Sequence, residues 1–270
     1  MAVRERLHTG HPGRRLNNPL AARELRLRPL TGLPEIEEGT DLGGLIAAAA
    51  APSAGEIVVV SQKIVSKTEG RVRLLSEISP GEEALRLAAQ TGKDPRLVEL
   101  ILGESRSVLR AVPNLLLTET NAGWICANAG LDLSNVPGED TVALLPEDAD
   151  ASARRIRAEI RGGDGGGGPA VIVADSFGRA WRLGQTDIAI GCAGIDPLAD
   201  WRGRPDAAGR RLEATEIAVA DQLAASADLV RDKDSAVPGA VISGLEALVT
   251  EADGPGAVAI QRPAAEDLFR

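Results

Sequence analysis

Two kinds of apolar pattern are interleaved along this chain without a regular beat. Leu25 and Leu27 alternate with Arg, so residues 24–30 predict a first strand. Residues 31–34 (Thr-Gly-Leu-Pro) then predict a turn. The continuous apolar runs 56–60 and 170–174 predict buried strands. Shorter runs at 115–117, 124–127, 142–145, 186–192 and 237–242 predict further strands. Helical spacing predicts helices over 81–91, 94–110, 152–161 and 213–230, and over a segment ending at Ala51 that Asp41 caps. Residues 162–169, rich in glycine, predict a surface loop. Strands and helices mix without alternating, which argues for an α+β fold and against a doubly wound sheet. No 20- to 50-residue period suggests a solenoid. No run approaches the roughly 20 apolar residues of a membrane helix.

Composition narrows the chemistry. Of 270 residues, 44% are hydrophobic and 26% charged, the balance of a globular protein. The only histidines are His8 and His11, both in an Arg-rich stretch that composition marks as a disordered tail. The body therefore lacks histidine bases, Ser-His-Asp or Cys-His catalysis and histidine metal ligands. Cys126 and Cys192 sit far apart in apolar surroundings and read as reduced core thiols. With no Tyr and two Phe, a stacking platform for single-stranded nucleic acid is missing. Residues 1–28 hold seven Arg and two Glu, net +5, so the −9 chain leaves −14 on the rest. A body this acidic argues against nucleic-acid binding. The tail has no apolar segment of the secretory kind, and the cytoplasm is the expected location.

Candidate chemistry must then come from carboxylates, hydroxyls, Arg and Lys. Lysine is scarce, 4 against 26 Arg, yet Lys63 and Lys67 lie four apart beside the 56–60 run. They fit a phosphate-facing pair or a solvated edge. Asp175-Ser176 closes the 170–174 run, a place either for a divalent ion or for a turn cap. Asp132 and Asn135 lie in the polar segment that follows strand 124–127, which reads as an Asx turn or as further ion and nucleotide ligands. Taken together, an all-oxygen donor set without His or clustered Cys points to Mg²⁺ or Mn²⁺. Gly163-x-Gly165-x-x-Gly168 matches the dinucleotide fingerprint as letters. It follows a helix and precedes a strand, the reverse of the required context, so no Rossmann site is expected. GxxxxGK[ST] is absent, which excludes a P-loop.

Five blocks in order carry a resemblance. They are Gly32-Leu33-Pro34-Glu35, residues 58–71 with Ser61-Gln62-Lys63 and Lys67 inside them, residues 128–135 from Asn128-Ala129-Gly130 to Asn135, Asp175-Ser176-Phe177-Gly178-Arg179, and Asp200-Trp201-x-Gly203-Arg204. On these the chain resembles the coenzyme F420-0:L-glutamate ligase (F420 gamma-glutamyl ligase) family. The resemblance implies a two-part mixed α+β ligase fold and an intertwined homodimer. It implies GTP-dependent addition of L-glutamate to coenzyme F420-0, then of γ-linked glutamates, with Mg²⁺ or Mn²⁺ and assistance from K⁺. By position, Leu33, Pro34, Glu35, Ile36, Gln62, Lys67 and Asn135 would contact GTP. Asp132, Asp175 and Ser176 would hold metal, with Lys67 and Asp175 catalytic. Gln62 stands where many relatives have a small hydroxyl residue. In the 231–235 loop, Lys233 falls near a metal-ligand position of archaeal relatives. The division implied is a basic tail (1–23), a ligase domain (24–250) and a C-terminal tail or linker (251–270). Residues 262–270 are similar to the linker that leads, in two-domain bacterial relatives, to a flavin-binding domain. A ligase for another carboxylate acceptor and a non-catalytic nucleotide-binding module are the alternatives.

Overall fold

The computed structural model describes residues 24–133, 140–162 and 167–267. The expected basic tail, Asn135 and half of the glycine loop, residues 163–166, lie outside the described residues. In chain order the elements are β1 (Arg26–Pro29), α1 (Leu42–Ala50), β2 (Ile57–Ser61), α2 (Gln62–Thr68), β3 (Val72–Leu74), α3 (Glu82–Thr91), α4 (Pro95–Gly103), β4 (Ser105–Val112) and β5 (Leu115–Thr120). They continue with β6 (Ile125–Ala127), β7 (Thr141–Ala143), α5 (Ala149–Arg161), β8 (Ala170–Arg179), β9 (Arg182–Ala193), β10 (Leu198–Asp200), β11 (Glu216–Ala218), α6 (Val219–Asp228) and β12 (Gly239–Ser243). The fold is mixed α+β, as expected.

A five-stranded sheet in the order β1-β12-β2-β8-β9 organises the larger lobe. Only β2 and β8 run parallel, with Val60 opposite Val173 and Ser61 opposite Ala174. Both strands are apolar runs because both faces of the sheet are covered. Val58, Val60, Val171 and Val173 meet Leu42 and Ile46 of α1 and Ala153 and Ile156 of α5. Ile57, Val59 and Ile172 face the other way, against Val219, Leu223 and Ala227 of α6. Cys126 and Cys192 are buried free thiols in these two separate clusters. Gly191 lets α5 lie directly on β9, since a Cβ there would stand 2.2 Å from the Ala149 carbonyl oxygen.

The smaller lobe packs α3 and α4 against the β4-β5-β6 sheet, with Leu87, Val98, Ile101, Leu116 and Leu144 in its core. Gly92 ends α3 in the left-handed conformation (φ 74°), and Asp94 caps α4 by accepting from Arg96 N at 2.8 Å. The expected helix over 94–110 is corrected here: α4 stops at Gly103 and β4 begins at Ser105. Residues 105–112 carry apolar side chains at helix-compatible spacing, but the antiparallel ladder to β5 overrides that local preference. Likewise the expected 213–230 helix is shorter, because residues 216–218 pair with β10.

Residues 250–261, expected largely as a tail, are bound to α5. Arg157 is fully buried. It donates to the carbonyls of Pro169 (3.0 Å), Glu251 (3.2 Å) and Thr250 (2.5 Å) and to Asp253 Oδ1 (2.6 Å). Asp150 accepts from the backbone N–H groups of Cys192, Ala257 and Val258. Among the described residues no helix is long and apolar enough to cross a membrane.

Candidate functional site

The parallel pairing of β2 with β8 ends at Ser61 and Ala174, and polar residues singled out from sequence lie just past that point, Asp175 and Ser176 still within β8 where it pairs with β9. Such ends are a recurrent place for ligands in sheets of this kind. At the end of β2, the Ser61 hydroxyl accepts from Lys63 N (3.3 Å) and starts α2, a helix absent from the sequence expectations. Lys63 and Lys67 are one turn apart on it and so share a face. Their partners differ. Lys63 Nζ is 2.9 Å from Asp132 Oδ2, whereas Lys67 pairs with Glu35.

Asp132 reaches this place through an unusual backbone turn. Asn128, Ala129 and Gly130 all have positive φ, at 53°, 54° and 71°. Non-glycine residues seldom adopt this region. Here two side chains hold it: Asn128 Oδ1 accepts from Leu116 N (3.2 Å) and Thr118 Oγ1 from Ala129 N (3.1 Å). Asp132 then exchanges two backbone hydrogen bonds with Ala143 (3.0 and 2.9 Å), which fixes its direction.

Asp175 keeps part of its surface open, yet burial dominates its titration. Its carboxyl is pushed up to about 7, first by desolvation and then by the charges of Asp132 and Asp187. A backbone N–H from Ser176 and the charge of Lys63 oppose the rise. Burial thus favours the protonated form of Asp175, and a further cation beside it would favour the carboxylate. The Ser176 hydroxyl donates to Asp187 Oδ1 (2.5 Å) and accepts from Lys233 Nζ (2.7 Å). Asp187 lies opposite Ser176 in the β8–β9 register and is buried against Arg231.

Asp132, Asp175, Ser176 and Lys63 are thus brought together. Lys67 and Glu35 lie at the far end of α2. Pro34 is exposed, Leu33 half-buried, and Ile36 sits inside the apolar core. Gln62 is fully buried; its Oε1 accepts from Ser66 Oγ (2.8 Å), while its Nε2 has no partner. Asp187 was not singled out from sequence. Its signal was a carboxylate in the same strand phase as Ala189, which is buried. Among the described residues no three His, Cys, Asp or Glu side chains form a ready-made metal cage. The oxygen-only set of Asp132, Asp175 and Ser176 suits a hard divalent ion that keeps waters or phosphate oxygens as further ligands.

Fold and site together define a mixed α+β domain with a carboxylate, hydroxyl and lysine cluster at the ends of a parallel strand pair. The chain belongs to the F420-0:Gamma-glutamyl ligase family, which matches residues 32–244. It is 41% identical over 251 residues to the coenzyme F420:L-glutamate ligase of Methanopyrus kandleri, covering 91% of this chain and 98% of that one. The protein of the same description from Methanothermobacter thermautotrophicus is 42% identical over 246 residues, covering 88% and 96%. That of Haloarcula marismortui is 45% identical over 218 residues, covering 78% and 84%.

Proposed function

We propose that this chain is a ligase that uses GTP to join L-glutamate to coenzyme F420-0 and then extends the product with γ-linked glutamates. The observation that carries the reading is the clustering of Asp132, Asp175, Ser176 and Lys63 within a chain of this family. Formation of an amide from a carboxylate needs the carboxylate oxygen activated. In the proposed route that oxygen attacks the γ-phosphorus of GTP, and the bond to the β,γ-bridging oxygen breaks, releasing GDP. The glutamate amine then attacks the acyl carbon of the acyl phosphate. Its C–O bond to phosphate breaks, phosphate leaves, and the amine proton passes to solvent.

Asp132, Asp175 and Ser176 would hold one Mg²⁺ or Mn²⁺, which supplies charge neutralisation on phosphate oxygens. Lys67 would turn from Glu35, a largely exposed partner, to the nucleotide phosphates. Lys63 holds Asp132 in place and limits the repulsion between the two carboxylates. Asp187 and Arg231 position the Ser176 hydroxyl. Ile36 and Leu33 would support the nucleotide from the core side, and Gln62 has an unused amide N–H to offer. The family resemblance adds a homodimer and K⁺ to this proposal.

The test is a mass-spectrometric assay with F420-0, L-glutamate, Mn²⁺ and either GTP or ATP. Glutamate mass increments that require GTP are expected. A folded protein that binds GTP but forms no such product would overturn the acceptor assignment.

A further inference from the structure

A cavity of about 270 Å³ opens at the seam between the two lobes. Trp124 and Ala129 of the smaller lobe form one wall, Ile190 of β9 another, and Arg71, Glu104 and Glu147 supply its charge. Arg71 is rigidly placed. Its Nε donates to the Leu145 carbonyl (3.0 Å), Nη2 to Glu104 (2.6 Å) and Nη1 to Glu147 (3.2 Å). The Arg71 and Glu104 side chains are 11% and 24% exposed, while that of Glu147 is 81% exposed. A guanidinium has five N–H donors, so three bonds leave two for a ligand.

One guanidinium between two carboxylates complements a ligand that carries both a carboxylate and an amino group. The ammonium of such a ligand offers Glu104 and Glu147 a cation that a phosphate lacks. Size agrees: the volume lies below the roughly 300–1,000 Å³ of pockets for drug-sized ligands, so it suits an amino acid better than a ring cofactor. Its position agrees as well. Ala129 on the cavity wall stands three residues before Asp132, and Cys126, between Trp124 and Ala129, packs in the same buried cluster as Val173 and Phe177, which flank Asp175 in β8.

We propose that this cavity is the subsite for the incoming L-glutamate, with Arg71 taking its α-carboxylate and Glu104 and Glu147 accepting from its amino group. The inference rests on the ligase reading and adds the place where the nucleophile binds. An amino acid held here would be oriented toward the carboxylate cluster before it attacks, so that less of its freedom is lost in the reaction step.

The test uses the full chain. L-glutamate and glutarate, which lacks the amine, are titrated while Trp fluorescence is followed, in wild type and in Glu147→Gln. Trp124→Phe identifies the reporting indole. L-glutamate is expected to saturate the Trp124 signal. Glutarate is expected to bind roughly tenfold or more weaker, and Glu147→Gln to weaken L-glutamate by about tenfold. In turnover, Glu147→Gln should raise the KM for L-glutamate by a similar factor and leave that for GTP within about twofold. Because Glu147 is exposed, this variant does not threaten folding. Arg71→Lys, which keeps the charge but loses the fork, should weaken glutamate further. Equal binding of glutarate and L-glutamate, no binding of either, or an unchanged KM in Glu147→Gln would each overturn the subsite. Product formation with unchanged KM would do so while leaving the ligase reading intact. Saturable, Glu147-dependent binding without ligation would do the opposite.

Discussion

Lys63 Nζ lies 2.9 Å from Asp132 Oδ2, joining the first turn of α2 to the segment that leaves the left-handed turn of the smaller lobe. One ion pair therefore couples the two lobes beside Asp175, just past the end of the parallel β2–β8 pairing. Lys63 holds Asp132 in the arrangement seen, and in the proposed metal site it would compete with a divalent ion for that carboxylate.

Lys63→Met should accordingly strengthen Mn²⁺ binding in the absence of nucleotide, by roughly three- to tenfold, because a nearby like charge is removed. Mn²⁺ titration followed by electron paramagnetic resonance measures this. Weaker binding in the variant would show that Lys63 supports the ion and does not compete with it.

Asp175 sets a pH dependence whose sign follows from its burial. Its ordinary value of 3.8 is raised to about 7 in the folded state, so the native protein holds a proton that the unfolded chain has released. The associated stability is full below about pH 4, declines as pH rises toward about 7, and is absent above. Metal-free wild type should lose Tm between pH 5 and 8 relative to Asp175→Asn, which carries no such proton. Parallel Tm–pH curves for the two proteins would refute the assignment.

If Asp175 is a ligand of the proposed divalent ion, the same proton would leave on binding. Mn²⁺ affinity should rise about tenfold per pH unit below pH 7 and level off above it. Isothermal titration calorimetry in buffers of different ionisation enthalpy reads the proton released. An affinity independent of pH from 5.5 to 8 would remove Asp175 from the ligand set.

Lys67→Ala should raise the KM for GTP more than that for L-glutamate, by about tenfold or more, since a charge-assisted contact to phosphate would be lost. The pair with Glu35 is mostly solvent-exposed on the Glu35 side, so stability should change little. Unchanged GTP dependence would move the phosphate contact elsewhere.

Arg157→Ala should destabilise the fold by about 2–5 kcal/mol, because it empties a fully buried side-chain site and leaves the Pro169 carbonyl without its donor. Urea denaturation checks the size, and limited proteolysis should then cut within 250–261 first. A loss below about 1 kcal/mol would mean that this segment is held by other contacts.

Much of this architecture was legible from local pattern. The runs that became β2 and β8 stand out because a strand covered on both faces must be apolar at every position. Asp175 and Ser176 were conspicuous for the same reason, as polar residues ending such a run. Residues 105–112 misled because helix and strand spacing are not distinct over so short a stretch, and pairing with β5 settled the matter. No apolar stripe marks α2 in the sequence, because its buried face carries Gln62, Ser66 and Thr68 beside Ile64 and Val65.

Periodicity and composition act over a few residues, and they are enough to specify the α+β class, the two central strands and a site without histidine. Bringing Asp132 to Asp175, Asp187 to Ser176, and Arg71 to a cavity between lobes depends on contacts between distant segments. Those contacts follow from the parallel pairing of β2 with β8, the β8–β9 register and three consecutive residues of positive φ. None of these is encoded by a local repeat: strand pairing and register join residues far apart in sequence, and the left-handed turn is held by Leu116 and Thr118 of a neighbouring strand, so only packing decides which charges meet.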